Sequence, residues 1–205
     1  VLNKPVGMPS QPDPSGVPSV LDWVRLHLPG GELHPVQRLD RPAAGLLTVA
    51  RGRPAARELF RQFRLHQVEK VYLALVEGFE ALPAAEGRLQ HNLLRDGRRN
   101  RSRAFAEAVP GSRPGILDYR VLRTGRTRAL VEVRLVTGRH HQIRAQFAQL
   151  GCPLAGDLKY GASSALRQGG IALFSCHLGL AHPLSGLPLE FQARPEGRAW
   201  EPFLS

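Results

Sequence analysis

The spacing of apolar positions divides the chain into short strands and a few amphipathic helices. Val1 to Lys4 reads as the end of a strand. The loop Pro5-Val6-Gly7-Met8-Pro9-Ser10, with Pro12, Pro14 and Gly16 beyond it, cannot hold a regular ladder. Ser19 or Asp22 opens a helix whose apolar positions Val20, Leu21, Val24 and Leu28 share a face, and Pro29-Gly30-Gly31 ends it. Gly45 to Ala50 is an apolar run bounded by Gly and Pro, the pattern of a buried strand. Pro54 to Leu65 has helical spacing, with Ala55, Leu59, Phe60 and Phe63 inward and Arg57, Arg61 and Arg64 outward.

Further along, Val68 to Gly78 is rich in β-branched and aromatic residues and predicts a strand, with Lys70 and Tyr72 on one face and Val71 and Leu73 on the other. Leu117–Leu122 and Ala129–Leu135 alternate as a hairpin joined at Thr124-Gly125-Arg126. A helix follows with Ile143, Phe147 and Leu150 on one face, Thr137 as its N-cap and Gly151 as its stop. Its first turn would carry Arg139, His140 and Arg144. Cations are unfavourable at the positive end of a helix, so this placement implies an anionic partner. Gly156 to Gly161 is a turn, and Ile171 to Leu178 a last apolar strand.

Charge adds a partner class. Lys+Arg of 28 against Asp+Glu of 17 leaves a formal +11, nearly all of it arginine. That balance favours a polyanion, nucleic acid first, although Arg-rich coding would give a similar excess. Arg88 to Arg103 concentrates six arginines against one Asp in a predicted loop or hairpin tip, either a solvated face or an RNA- or DNA-contacting one. Cys152 and Cys176 are too few and too far apart for a metal knuckle or a disulfide framework, which points to a cytosolic protein. No apolar run approaches the roughly 18–20 residues that span a bilayer, and the N-terminal residues lack the charged and apolar regions of a secretory signal, so no membrane partner is expected. Adjacent His140 and His141 diverge on a helix and lack a partner at i+4, which argues against metal. His177 and His182 read as structural.

One polar stretch stands out. Gln37-Arg38-Leu39-Asp40-Arg41 precedes the apolar run at Gly45, which places Asp40 between two arginines beside a rigid element. It is either a salt-bridged surface turn or a reacting carboxylate held in position. Tyr72 is either core with its hydroxyl satisfied or a functional ring. Lys4 is a phosphate contact or, the reading favoured here, the solvated end of a strand.

Taken together, Arg38-Leu39-Asp40-Arg41 with Gly45-Leu46-Leu47, Lys70-Val71-Tyr72, Thr137 to Arg144, Gly156-Asp157 with Tyr160-Gly161, and His182-Pro183 resemble the RluA-type pseudouridine synthases in order and spacing over essentially the whole chain. Asn3-Lys4-Pro5 and Gly7 resemble the opening of that family. The family has His before the Arg-Leu-Asp-Arg quartet, Asp-Thr-Ser after it, and Thr at position 140. Here stand Gln37, Pro42-Ala43-Ala44 and His140, changes that bear on substrate preference more than on chemistry.

The resemblance implies an α+β catalytic fold over residues 1–205, with a mixed, mainly antiparallel sheet in two lobes, flanking helices and loops, and a central basic cleft. It implies a stand-alone catalytic domain without a separate N-terminal RNA-binding domain, acting as a cytoplasmic monomer on uridines of rRNA or tRNA, with no cofactor and no metal. By position, Asp40 is the catalytic carboxylate, Tyr72 the ring that stacks on the flipped uracil, Arg144 the partner of Asp40, and Arg38 the wedge left in the duplex. Arg41, Arg139, His140, Gln142, Ile143, Leu173 and Lys4 complete the expected substrate contacts. Burial disfavours an ionised carboxylate and a nearby guanidinium favours it, so the Asp40–Arg144 pairing is a mechanistic requirement. Two other readings remain: a non-catalytic RNA-binding or chaperone module on the same fold, and, ranked last, a basic hydrolase or nuclease.

Overall fold

The computed structural model describes residues 1–204 and resolves into two compact units, Val1–Lys70 with Phe174–Pro195, and Val71–Leu173 with Glu196–Ser205. It is an α+β fold with mostly antiparallel strands and few helices.

In the first unit, β1 (Leu2–Lys4) pairs antiparallel with β3 (Ala44–Leu47), β3 runs parallel to β10 (Leu173–Ala181), and β10 pairs antiparallel with β11 (Pro188–Gln192). β2 (Leu33–Pro35) and β4 (Val49–Arg51) form a separate two-stranded pair. The apolar run from Gly45 is therefore two short strands broken at buried Thr48 rather than one. Helix α1 (Val20–His27) begins with a capping box in which Ser19 and Asp22 each accept from the other's backbone N–H, so both expected openers act together. Leu28 ends that helix half exposed instead of joining the face of Val20, Leu21 and Val24.

Helix α2 (Arg53–Arg64) packs Ala56 and Leu59 against Val36, Leu46, Ala50, Val68, Leu178 and Leu180. Phe60, expected inward, is 48% exposed. Its place is taken by Gln62, whose side-chain amide exchanges two 3.0 Å hydrogen bonds with the backbone of Ala181 at the end of β10. A buried amide is tolerated there because both of its polar ends are satisfied.

The second unit is an antiparallel sheet in the order β5 (Glu69–Glu77), β9 (Arg128–Leu135), β8 (Arg113–Thr124), β6 (Glu86–Asp96), β7 (Arg101–Phe105). Most of the arginine-rich segment is thus paired strand, with only the β6–β7 turn as tip. Helix α3 (Gln142–Gln149) buries Phe147 against Tyr119, ring edge to face at 6.0 Å. Fully buried Gln146 donates to the carbonyls of Leu89 and Gly115, tying α3 to β6 and β8. A single turn at Leu158–Tyr160 follows, and a short α4 (Glu201–Leu204) closes the described chain.

Candidate active site

Asp40 lies on the loop between β2 and β3, and the N-terminal loop clamps it from several sides. Ser10 Oγ donates to the Leu39 carbonyl at 2.8 Å and accepts from the Leu39 N–H at 3.0 Å. Gly7 N–H donates to the Arg41 carbonyl, and Arg41 Nε returns a bond to the Gly7 carbonyl, each at 2.9 Å. The Asp40 carbonyl accepts from Ala43 N–H, closing a turn. Beyond it, Gly45 at φ +108° crosses β10 so closely that a Cβ would strike the Ser175 backbone. Only glycine fits that crossing, and it sets where the loop leaves the sheet.

Lys4 is neither solvated nor turned outward. Its side chain is 1% exposed and its ammonium donates to the carbonyls of Pro5, Met8 and Arg41 at 2.9, 3.0 and 3.3 Å. Burial pulls its pKa down to about 8, against which the nearby Asp40 charge pulls upward. Lys4 thus holds the two loops together and places a positive charge near Asp40. Arg38 and Arg41 point outward, and Arg38 has no ion-pair partner among the described residues.

The second cluster surrounds the start of α3. The helix begins at Gln142, later than expected, so Arg139 and His140 sit in the preceding turns and Arg144 is the cation in the first turn. Thr137 does not cap it. Its hydroxyl accepts from Ile116 N–H and donates to Gln142 Oε1 at 2.8 Å each, while Gln142 Nε2 donates to the Ile116 carbonyl. Gln142 Oε1 also accepts from Arg139 N–H, so this buried amide shapes the 137–142 loop from within. Ile143 is buried beside it, and Arg139 Nε donates to the Pro114 carbonyl.

Arg144 is 4% exposed and makes a two-pronged ion pair with Asp157, Nε to Oδ2 at 2.6 Å and Nη2 to Oδ1 at 2.9 Å. Such a fork fixes the plane of the guanidinium. The Tyr160 ring lies 4.9 Å from its Cζ. The Tyr160 hydroxyl accepts from Ser102 N–H and lies 3.0 Å from His141 Nδ1. His141 holds a left-handed backbone at φ +51° and stacks on His140 at 3.8 Å. His140 reaches Ser102 Oγ and Asn100 Oδ1, at 2.9 and 3.1 Å. Burial, reinforced by the charge of Arg144 and other cations, drives the His141 pKa down to about 2, so its ring is neutral.

Tyr72 sits on β5 opposite Val133 of β9 and is 7% exposed; Leu173 opens β10 and is 6% exposed. Arg139, His140, Gln142, Ile143 and Arg144 come together in the second unit, as Lys4, Arg38, Asp40 and Arg41 do in the first. Asp157 and Tyr160 now join the candidate site. Their signal was the Gly156-Asp157 and Tyr160-Gly161 pattern, whereas nothing local marked Ser10 or Ser102. Among the described residues no group of three His, Cys, Asp or Glu could hold a metal ion.

Residues 1–149 match the model of the RNA pseudouridylate synthase family. The chain belongs to that family. An uncharacterized RNA pseudouridine synthase of Chloroflexus aurantiacus is 40% identical over 93% of the chain, and the ribosomal large subunit pseudouridine synthase D of Zymomonas mobilis is 31% identical over 94%. The chain spans 61% and 65% of the length of these two relatives. Among solved structures, human RNA pseudouridylate synthase domain containing 1 superposes with a TM-score of 0.76 at 26% identity, covering 94% of this chain and 78% of the human one. No helix among the described residues is long and apolar enough to cross a membrane.

Proposed function

We propose that this pseudouridylate synthase family member isomerises uridines of structured RNA, with ribosomal RNA or tRNA as substrate. The observation that carries the reading is the clamped Asp40: a carboxylate on a loop bonded on both flanks, near a buried ammonium, in a chain of this family. In this reading the target uridine leaves its stack, which costs a few kcal/mol, and stacking on the Tyr72 ring returns about 1–3 kcal/mol. Arg38 fills the gap.

The bond from C1′ of the ribose to N1 breaks, and positive character develops on the sugar. The Asp40 carboxylate meets it, either by attacking C1′ or by taking the C2′ proton on a glycal route. The detached uracil turns, C1′ bonds to C5, the C5 proton leaves and N1 regains a proton. Arg144, its plane set by Asp157, favours the ionised carboxylate. Rotation and rejoining consume no cofactor or energy source.

The test is tritium release from C5-labelled uracil in RNA. Asp40→Asn should abolish release while RNA binding persists, and turnover retained by that variant would sink the reading. The replaced neighbours Gln37 and Pro42-Ala43-Ala44 keep one rival alive, an RNA-binding module without chemistry. Carbodiimide-dependent reverse-transcription stops in bulk RNA treated with the wild-type protein would exclude it.

A further inference from the structure

A pocket of about 350 Å³ opens in the second unit between β7 and α3, lined by Asp96, Arg99, Arg101, Arg103, Gln149 and Tyr160 over a floor of alanines. The floor, Ala104, Ala145 and Ala148, packs with Leu93 and Tyr160 and leaves the space above it unfilled because no side chain there extends beyond Cβ. The volume sits at the small end of ligand pockets, the scale of one small molecule rather than of a helix.

The rim is built for an anion. Arg101 lies over the Tyr160 ring at 4.7 Å and Arg103 over the Phe105 ring at 5.1 Å, contacts that orient both guanidiniums without neutralising them. Neither has a carboxylate partner among the described residues. Asp96 instead caps its own turn by accepting from Arg99 N–H and lies 3.8 Å from Arg99 Nε.

The free edge of β7 adds directional groups. Ser102 turns its N–H and C=O away from β6, where the Tyr160 hydroxyl takes them. Peptide groups two residues apart on a strand point the same way, so the Ala104 N–H and C=O also turn away from β6, onto the free edge of β7 beside the pocket that Ala104 lines. A donor and an acceptor side by side above an apolar floor match the edge of a nucleobase, and two guanidiniums above them match a phosphate.

We propose that this pocket is a second RNA subsite, holding one unpaired nucleotide of the substrate strand with its phosphate at Arg101 and Arg103 and its base on the alanine floor. The inference rests on the RNA-modifying reading for its ligand but not for its geometry.

The test measures binding of a fluorescein-labelled short oligouridylate by the whole chain. Ala148→Leu fills the floor without changing charge, and Arg101→Gln with Arg103→Gln removes the rim. Each should weaken binding at least about tenfold, and the arginine pair should also flatten the slope of log affinity against log salt by roughly 0.7, the share of one single-strand phosphate. Arg57→Gln with Arg64→Gln, exposed on α2, should change affinity less than about threefold by the same count of lost charge. Wild-type binding by Ala148→Leu, or equal weakening by the α2 pair, would overturn the subsite. The exposed arginine pair gives its own answer should Ala148→Leu fail to fold. If wild-type protein binds with these losses yet makes no pseudouridine, the enzymatic reading falls and the subsite stands. Pseudouridine formation together with wild-type binding by Ala148→Leu reverses that outcome.

Discussion

His141 is the residue whose state depends most on its surroundings. Around it stand Arg144, His140, Lys159 and Arg95, all disfavouring a second proton, and the Tyr160 hydroxyl, which serves the neutral ring as well as the charged one. With a folded pKa near 2 and an ordinary unfolded value near 6.5, the unfolded chain binds the extra proton between those limits. Stability therefore rises with pH across that window, is fully present above it, and is lost on acidification. From pH 7 to pH 5 this one group should remove about 2 kcal/mol. His141→Asn tolerates the left-handed backbone and cannot titrate, so urea unfolding at the two pH values should show a smaller loss for the variant than for wild type. An unchanged difference would mean that His141 is not the group responsible. Nothing in the sequence announced this. The spacing of the adjacent histidines argues against metal, but the stacking of their rings on each other and the edge-on contact of His141 with Tyr160 depend on a helix that starts at Gln142.

Among the elements, the crossing of β3 and β10 does most to position Asp40. Gly45→Ala would add a Cβ against the Ser175 backbone at a φ of +108°, combining backbone strain with overpacking. The expected cost is about 2–5 kcal/mol. Turnover should fall even in protein that remains folded, because the strand that anchors the Asp40 loop must shift; denaturant curves alongside tritium release separate the two effects. Much of this architecture was legible because it follows from local pattern. The strand around Tyr72, the hairpin of β8 and β9, and helices α1 and α2 all lie where spacing put them. What spacing missed is settled by contacts distant in sequence. Gln62 displaces Phe60 as the inward residue because the end of β10 needs its backbone capped, and Thr137 turns from α3 toward Ile116 because β8 has a free N–H there. Lys4 was misread for the same reason: a lysine after a short strand reads as solvated until its three carbonyl partners are known.

For the whole molecule, the question left by composition is whether a formal +11 reflects coding bias or a polyanionic partner. Pairing bears on the choice. Arg25, Arg53, Arg61, Arg88 and Arg120 each sit within ion-pair distance of a carboxylate, as arginines spread over a surface tend to do. Arg38 beside Asp40, and Arg101 and Arg103 on β7, have none among the described residues. Unneutralised charge is therefore present on the segments that the RNA-modifying reading uses, and also on α2, where exposed Arg57 and Arg64 have no carboxylate partner among the described residues. Counterion release makes the consequence measurable: about six single-strand phosphate contacts would lower affinity a few hundredfold between 50 and 200 mM salt. Binding of oligouridylate across that range should give a slope near −4, and substitutions at Arg38, Arg101 and Arg103 should each reduce it whereas those at Arg25 and Arg53 should not. A slope near zero, or equal effects from both sets, would assign the excess to composition alone and remove the electrostatic argument for RNA.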